Sequence, residues 1–152
     1  MAAAYLGLGT NLGEKKEQLS KAVALLAERA GRILALSSLY ESEPWGFESE
    51  NNFLNIALAL ETSLPPFELL HVAQQIEKDM GRERKNDNAY HDRIIDIDIL
   101  LYENLILNTP SFILPHPLMH RRRFVIVPLA EIAPRLVHPV LKKNIEELLL
   151  LL

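Results

Sequence analysis

Apolar positions recur along this chain with two periods, and the switches between them mark its elements. Residues 3–8 read as a buried strand closed by Gly7 and Gly9. Over 14–30 the period lengthens: Leu19, Val23, Leu26 and Ala30 recur at spacings of four, three and four, which predicts a helix with Gly31 as its C′ residue. A second strand is predicted over 33–40. Residues 41–52 carry Pro44, Gly46 and several acids and read as a long loop. Strict alternation returns over 53–60, with Leu54, Ile56, Leu58 and Leu60 on one face and Phe53, Asn55, Ala57 and Ala59 on the other.

Ser63-Leu64-Pro65-Pro66 opens a second helix, since proline suits a first turn. Its apolar stripe is Leu69, Ala73, Ile76 and Met80, and Gly81 ends it. Leu70, Gln74 and Glu77 share another face. Residues 82–93 have no apolar period and read as a loop. A strand follows over 94–102, then loops punctuated by Pro110, Pro115 and Pro117, a short strand over 124–127 and a short helix over 128–133. The order β-α-β-β-α-β predicts an α+β, ferredoxin-like sandwich: a mostly antiparallel sheet covered by helices, with 1–152 as one domain.

The sharpest chemical feature lies in the strand at 94–102. Asp96 and Asp98 are two apart, so both carboxylates share one face and Ile95, Ile97 and Ile99 take the other. Like charges side by side on a sheet repel. A hard divalent cation resolves the conflict, and magnesium favours one or two carboxylates plus substrate phosphates. An exposed, simply amphipathic edge strand is the alternative. The neighbours favour a ligand: Arg82, Arg84, Lys85 and Arg93 precede the pair, and Arg121, Arg122 and Arg123 follow it. Guanidinium groups match phosphate oxygens in fork geometry. His116 and Arg122 could complete the same pocket. A lone histidine is more often structural, and a run of basic residues more often a solvated surface.

Phe53 beside Asn55 suits a flat heterocycle, since a ring can stack on it and an amide both donates and accepts. Core packing explains Phe53 equally well. Gly7-x-Gly9-x-x-x-Gly13 has one residue too many for a dinucleotide fingerprint, and there is no P-loop GK[ST]. It reads as a tight turn with helix capping by Thr10 or Asn11.

Composition narrows the field. A chain of 152 residues, about half apolar, can bury a core without staples. With no cysteine there are no disulfides or thiolate metal sites, which fits a reducing, cytoplasmic setting. The start, Met1-Ala2-Ala3-Ala4-Tyr5, lacks the basic region of a secretory signal. The apolar run 148–152 is too short to span a bilayer. A net charge of -4 argues against nucleic-acid binding, so the expected partners are small molecules.

Several motifs in one order then carry a resemblance. They are Tyr5-Leu6-Gly7-Leu8-Gly9-Thr10-Asn11-Leu12-Gly13, Tyr40-Glu41-Ser42-Glu43-Pro44-Trp45-Gly46, Phe53-Leu54-Asn55, Gly81-Arg82-Glu83-Arg84, Arg93-Ile94-Ile95-Asp96-Ile97-Asp98-Ile99-Leu100, Leu114-Pro115-His116-Pro117 and Pro128-Leu129-Ala130-Glu131-Ile132-Ala133-Pro134. The chain resembles the hydroxymethyl-dihydropterin pyrophosphokinase family of folate biosynthesis over nearly its whole length. The resemblance implies diphosphate transfer from ATP to the hydroxymethyl group of a dihydropterin, with two magnesium ions. It implies Asp96 and Asp98 as metal ligands, catalytic together with Arg84 and Arg93. Ser42, Glu43, Trp45, Phe53, Asn55 and Phe124 match pterin-site positions. Leu70, Gln74, Glu77, Arg82, Arg84, Tyr90, Arg93, Ile99, Ile113, His116 and Arg122 match ATP-site positions. The chain departs from the family at Ala89, Tyr90 and His91-Asp92, the last replacing a small Gly-Pro-like pair. Residues 82–92 are expected to form a lid ordered by ATP, and the protein to be a monomer or weak homodimer. Two rival functions remain at this point: a metal-dependent phosphohydrolase using Asp96 and Asp98, and a non-catalytic nucleotide- or pterin-binding module.

Overall fold

The computed structural model describes residues 1–81 and 94–152. In chain order its elements are β1 (Ala2–Thr10), α1 (Lys15–Arg29), β2 (Arg32–Leu36), β3 (Tyr40–Ser42), β4 (Phe53–Thr62), α2 (Pro66–Asp79), β5 (Asp96–Tyr102), β6 (Leu107–Asn108), β7 (Ile113–Leu114), α3 (Arg123–Ile132) and α4 (Ile145–Leu150). The main sheet runs β2-β4-β1-β5 with β3 also on β4, and every pairing in it is antiparallel. This is the expected α+β sandwich with the ferredoxin-like strand order. Among the described residues no helix is long and apolar enough to cross a membrane.

Alternation along the strands sorts the sheet into two faces. Leu6 and Leu8 of β1, Ile56, Leu58 and Leu60 of β4 and Ile97 and Ile99 of β5 turn to one side. There they bury against Leu19 and Leu26 of α1 and Leu69 and Ile76 of α2. Each such side chain contributes about 1.5–3 kcal/mol when fully buried. The other face carries Ala57, Leu100 and Leu101, covered by Val125, Ile126 and Leu129 of α3 and Ile145 and Leu148 of α4. The second face is covered over only part of its area, and the rest is the candidate site.

Several expectations are corrected. The strand over 33–40 is two strands. At the break the backbone N–H of Ser37 donates to the Ala57 carbonyl at 2.9 Å, while its Oγ accepts from the Ala57 N–H at 2.8 Å. The side chain thus replaces the backbone carbonyl in the ladder, and the chain rejoins the sheet as β3, which takes in Glu41 and Ser42 from the expected loop. Residues 124–127 are not a strand. They belong to α3, which places Val125, Ile126 and Leu129 on one buried stripe. A short apolar run does not itself distinguish strand from helix, and packing decides. Pro128 lies inside that helix.

Gly7 and Gly9 do not close β1; they lie within it. Thr10 and Asn11 do not cap α1, whose N-cap is Glu14 without a side-chain cap bond. Asn11 instead donates from Nδ2 to the Asn51 carbonyl at 3.2 Å. Gly31 does follow α1, for a spatial reason: any Cβ there would overlap the Glu61 carbonyl oxygen of β4. The short strands β6 and β7 and helix α4 were not anticipated. In α4 the Asn144 side chain accepts from the Glu147 N–H at 2.8 Å, and the Glu147 carboxylate accepts from the Asn144 N–H at 3.2 Å, a complete capping box. Leu148 packs into the core under α3, whereas Leu150, Leu151 and Leu152 are exposed.

Candidate active site

The site begins with a row of residues across four strands. Asp96 pairs with Gly9, Gly9 with Asn55, and Asn55 with Tyr40. In the next row Asp98 pairs with Gly7, which pairs with Ala57. Directly opposed residues share a face, so both carboxylates look across glycines that raise no side chain between them and β4. The glycines read from sequence as part of a tight turn therefore serve to leave a floor open. A solvent-open cleft of about 590 Å³ lies over this floor.

Ser42, Glu43, Trp45, Phe53, Asn55 and Phe124 all line this cleft, together with Asp96, Asp98 and Arg122. Phe47 and Val125 line it too and were missed: Phe47 sits in a loop without periodicity, and Val125 in a segment misread as strand. Phe47 meets Phe53 edge to face, with ring centroids 6.2 Å apart. That contact steadies Phe53 as a wall of the cleft.

Asn55 is 4% exposed. Its Nδ2 donates to the Tyr40 carbonyl at 3.1 Å and to Ser42 Oγ at 2.8 Å. A carbonyl only accepts, so the amide orientation follows from the chemistry. Both amide hydrogens are committed to β3, and the amide presents an acceptor, Oδ1, on the side of Gly9. A Cβ on Gly9 would stand 3.0 Å from that oxygen. The expectation of an amide that both donates and accepts toward a ligand is narrowed to acceptance.

Arg122, the residue before α3, is 6% exposed. Its guanidinium carbon lies 4.5 Å from the centroid of the Trp45 ring and 5.6 Å from that of Phe124. The resemblance implies a place beside ATP, and in the structure it lines the aromatic cleft.

A second cavity, at the open edge of β5, shares Asp98 with the first. It brings together Leu70, Ile99, Ile113 and His116, with Ile97 and Phe112. The His116 Nδ1 accepts from the Leu118 N–H at 3.2 Å. Burial, aided by the nearby Arg122 charge and opposed by Asp96, pushes its pKa down to about 4. The ring is therefore neutral at pH 7 and carries its proton on Nε2.

Gln74 lines neither of these two cavities. Glu77 is 7% exposed, and its Oε2 accepts from the Ile97 backbone N–H at 2.8 Å. It thus grips β5 between the two aspartates. Arg82, Arg84, Lys85, Tyr90 and Arg93, and the lid expected over 82–92, lie outside the described residues.

Among the described residues no three metal-binding side chains gather. Two carboxylates over an open floor fit a hard cation that takes its other ligands from water and substrate phosphates.

A family model described as 7,8-dihydro-6-hydroxymethylpterin-pyrophosphokinase (HPPK) matches residues 5–134. The chain is 50% identical over 141 residues to the 2-amino-4-hydroxy-6-hydroxymethyldihydropteridine pyrophosphokinase of Porphyromonas gingivalis, covering 91% of this chain and 95% of that one. To the protein of the same name from Aquifex aeolicus it is 42% identical over 147 residues, covering 97% and 90%. A crystal structure of Plasmodium falciparum HPPK-DHPS with pteroate superposes with a TM-score of 0.79 at 17% identity, covering 97% of this chain and 44% of that one. At that identity the likeness is one of fold, and this chain spans under half of the larger protein.

Proposed function

This chain belongs to the 7,8-dihydro-6-hydroxymethylpterin-pyrophosphokinase family, and on that premise we propose how its residues share the reaction. It is a pyrophosphokinase of folate biosynthesis that transfers a diphosphate from ATP to the hydroxymethyl group of hydroxymethyldihydropterin. The hydroxymethyl oxygen bonds to the β-phosphorus, the bridge from the β-phosphorus to the α-phosphate oxygen breaks, AMP leaves, and the hydroxyl proton is released.

The observation that carries the assignment of roles is the pair of cavities meeting at Asp98. The aromatic cleft takes the pterin. Phe53 and Phe124 stack on its rings, while the Asn55 Oδ1 accepts from its edge N–H groups. Ser42 and Tyr40, by holding both hydrogens of that amide, fix which atom faces the ligand. The apolar cavity takes the adenine side of ATP, against Leu70, Ile99 and Ile113. Neutral His116 offers an Nε2–H donor there, and Arg122 meets the phosphates where the cavities join. Asp96 and Asp98 would hold magnesium, two ions with ATP, which when bound offsets the charge gathering on the phosphate oxygens. Glu77 fixes the strand that bears them. The family resemblance assigns Arg84 and Arg93 to the phosphates as well. The domain 1–152 carries the whole reaction, and a cytoplasmic location, where ATP is plentiful, accords with it.

Positioning and electrostatics supply most of the acceleration on this reading, because each reactant has its own preformed pocket and the reacting atoms meet between them. The deciding assay measures AMP with and without hydroxymethyldihydropterin. AMP that forms only with the pterin supports the reading. Phosphate released from ATP alone points to a phosphohydrolase, and binding without AMP points to a non-catalytic module.

A further inference from the structure

We propose that Trp45 is a positioning residue for the nucleotide, its indole holding the Arg122 guanidinium in the aromatic cleft, which meets the second cavity at Asp98. The inference rests on the reading that Arg122 meets the phosphates of ATP.

Trp45 stands in the connection between β3 and β4, on the pterin side of the site. Arg122 lines the same cleft from the start of α3. Its backbone is pinned there, since its carbonyl accepts from the N–H groups of Val125 and Ile126 at 2.9 and 3.0 Å. The side chain is not fixed by that anchor, because an arginine has several rotatable bonds beyond Cα. Two aromatic rings within cation–π reach of the guanidinium restrict it, and the nearer is Trp45. An arginine held in place before its ligand arrives does not lose that rotamer freedom on binding.

The stack also explains why the group is an arginine. A planar guanidinium lies flat on an indole and still directs N–H donors outward in its own plane, whereas a lysine ammonium does neither. Trp45 is 38% exposed and Arg122 is 6% exposed, so the ring acts as an outer cover on a buried charge. The influence of that charge on His116, a residue of the second cavity, places Arg122 within electrostatic reach of both pockets.

The test is a double-mutant cycle on binding of a non-hydrolysable ATP analogue with magnesium, read by calorimetry on the full chain. Trp45→Leu should weaken the analogue about three- to tenfold. Trp45→Tyr should restore affinity to within about twofold, because a tyrosine face also holds a guanidinium. In the Arg122→Ala background, Trp45→Leu should have no further effect. Additive losses in the double variant, or an analogue affinity unmoved by Trp45→Leu, overturn the proposal. An Arg122→Ala protein that binds the analogue normally overturns both it and the placement of Arg122 at the phosphates. Pterin-dependent AMP formation by the wild type tests the pyrophosphokinase reading separately.

Discussion

Replacing Glu77 by alanine removes the carboxylate that accepts the Ile97 backbone N–H at 2.8 Å. Ile97 sits between Asp96 and Asp98 and is 5% exposed, so in the variant its N–H is left without that partner in a place water reaches poorly. β5 ends the strand order β2-β4-β1-β5, which means that the carboxylate does on the outer edge what another strand would do. A hydrogen bond to a charged group contributes about 1.5–3 kcal/mol, and stranding the donor costs a similar amount. For a chain of this size each kcal/mol moves the melting temperature by about 2–4 °C. Glu77→Ala should therefore melt roughly 5 °C or more below the wild type. Glu77→Gln keeps a carbonyl oxygen for the same N–H and should recover more than half of that loss. Calorimetric melting of the three proteins at pH 7, with turnover measured on each, gives the comparison. If Gln and Ala are equally destabilised, the bond to Ile97 is not what Glu77 contributes. If turnover falls no further than stability accounts for, Glu77 does not position the aspartates.

Asp98→Asn should keep the fold, since the residue lies at the mouth of two cavities, yet lose about 100-fold or more in turnover; a folded variant with normal kcat removes Asp98 from the metal site. Gly9→Ala puts a methyl 3.0 Å from Asn55 Oδ1 and should weaken pterin binding about tenfold while ATP binding stays within twofold, as read by calorimetry with each ligand. For His116 the folded pKa of about 4 lies below the free value of 6.5, so the unfolded chain binds more protons between those limits. Its contribution is intact above pH 6.5 and is lost as pH falls toward 4. Denaturant titrations should show that slope in the wild type and a flatter one in His116→Gln.

The long elements were legible because one period governed each. Leu19 to Ala30 and Leu69 to Met80 drew their helices, and the alternation of 53–60 drew β4. The breaks came where a side chain or a distant surface decided. Ser37 ends β2 by placing its own Oγ in the ladder, which a hydroxyl in an apolar run does not announce. Phe124 to Val127 is apolar all along, so only the buried stripe under α3 makes it helical. The capping box of α4 is carried by Asn144 and Glu147, a local signal three residues apart that an apolar tail of leucines obscures. In the site, Asp96, Asp98, Phe53 and Asn55 stood out by alternation on strands. The stacking of Arg122 on Trp45 did not, because 77 residues separate them and neither lies in a periodic segment. Glu77 showed its helix face but not its partner, which belongs to another element.

Along β5 the carboxylates and the isoleucines take turns, and the two sets have opposite destinations, one the cleft and the other the core. Gaining or losing one codon inside 96–99 would trade those destinations, sending acids among Leu19, Leu69 and Ile76 and isoleucines over Gly7 and Gly9. A two-codon insertion restores the alternation beyond it, and a substitution leaves it untouched. Among the descendants of such a gene, this stretch should therefore vary in letters but not in length by odd steps, while the connections around the sheet remain free to grow.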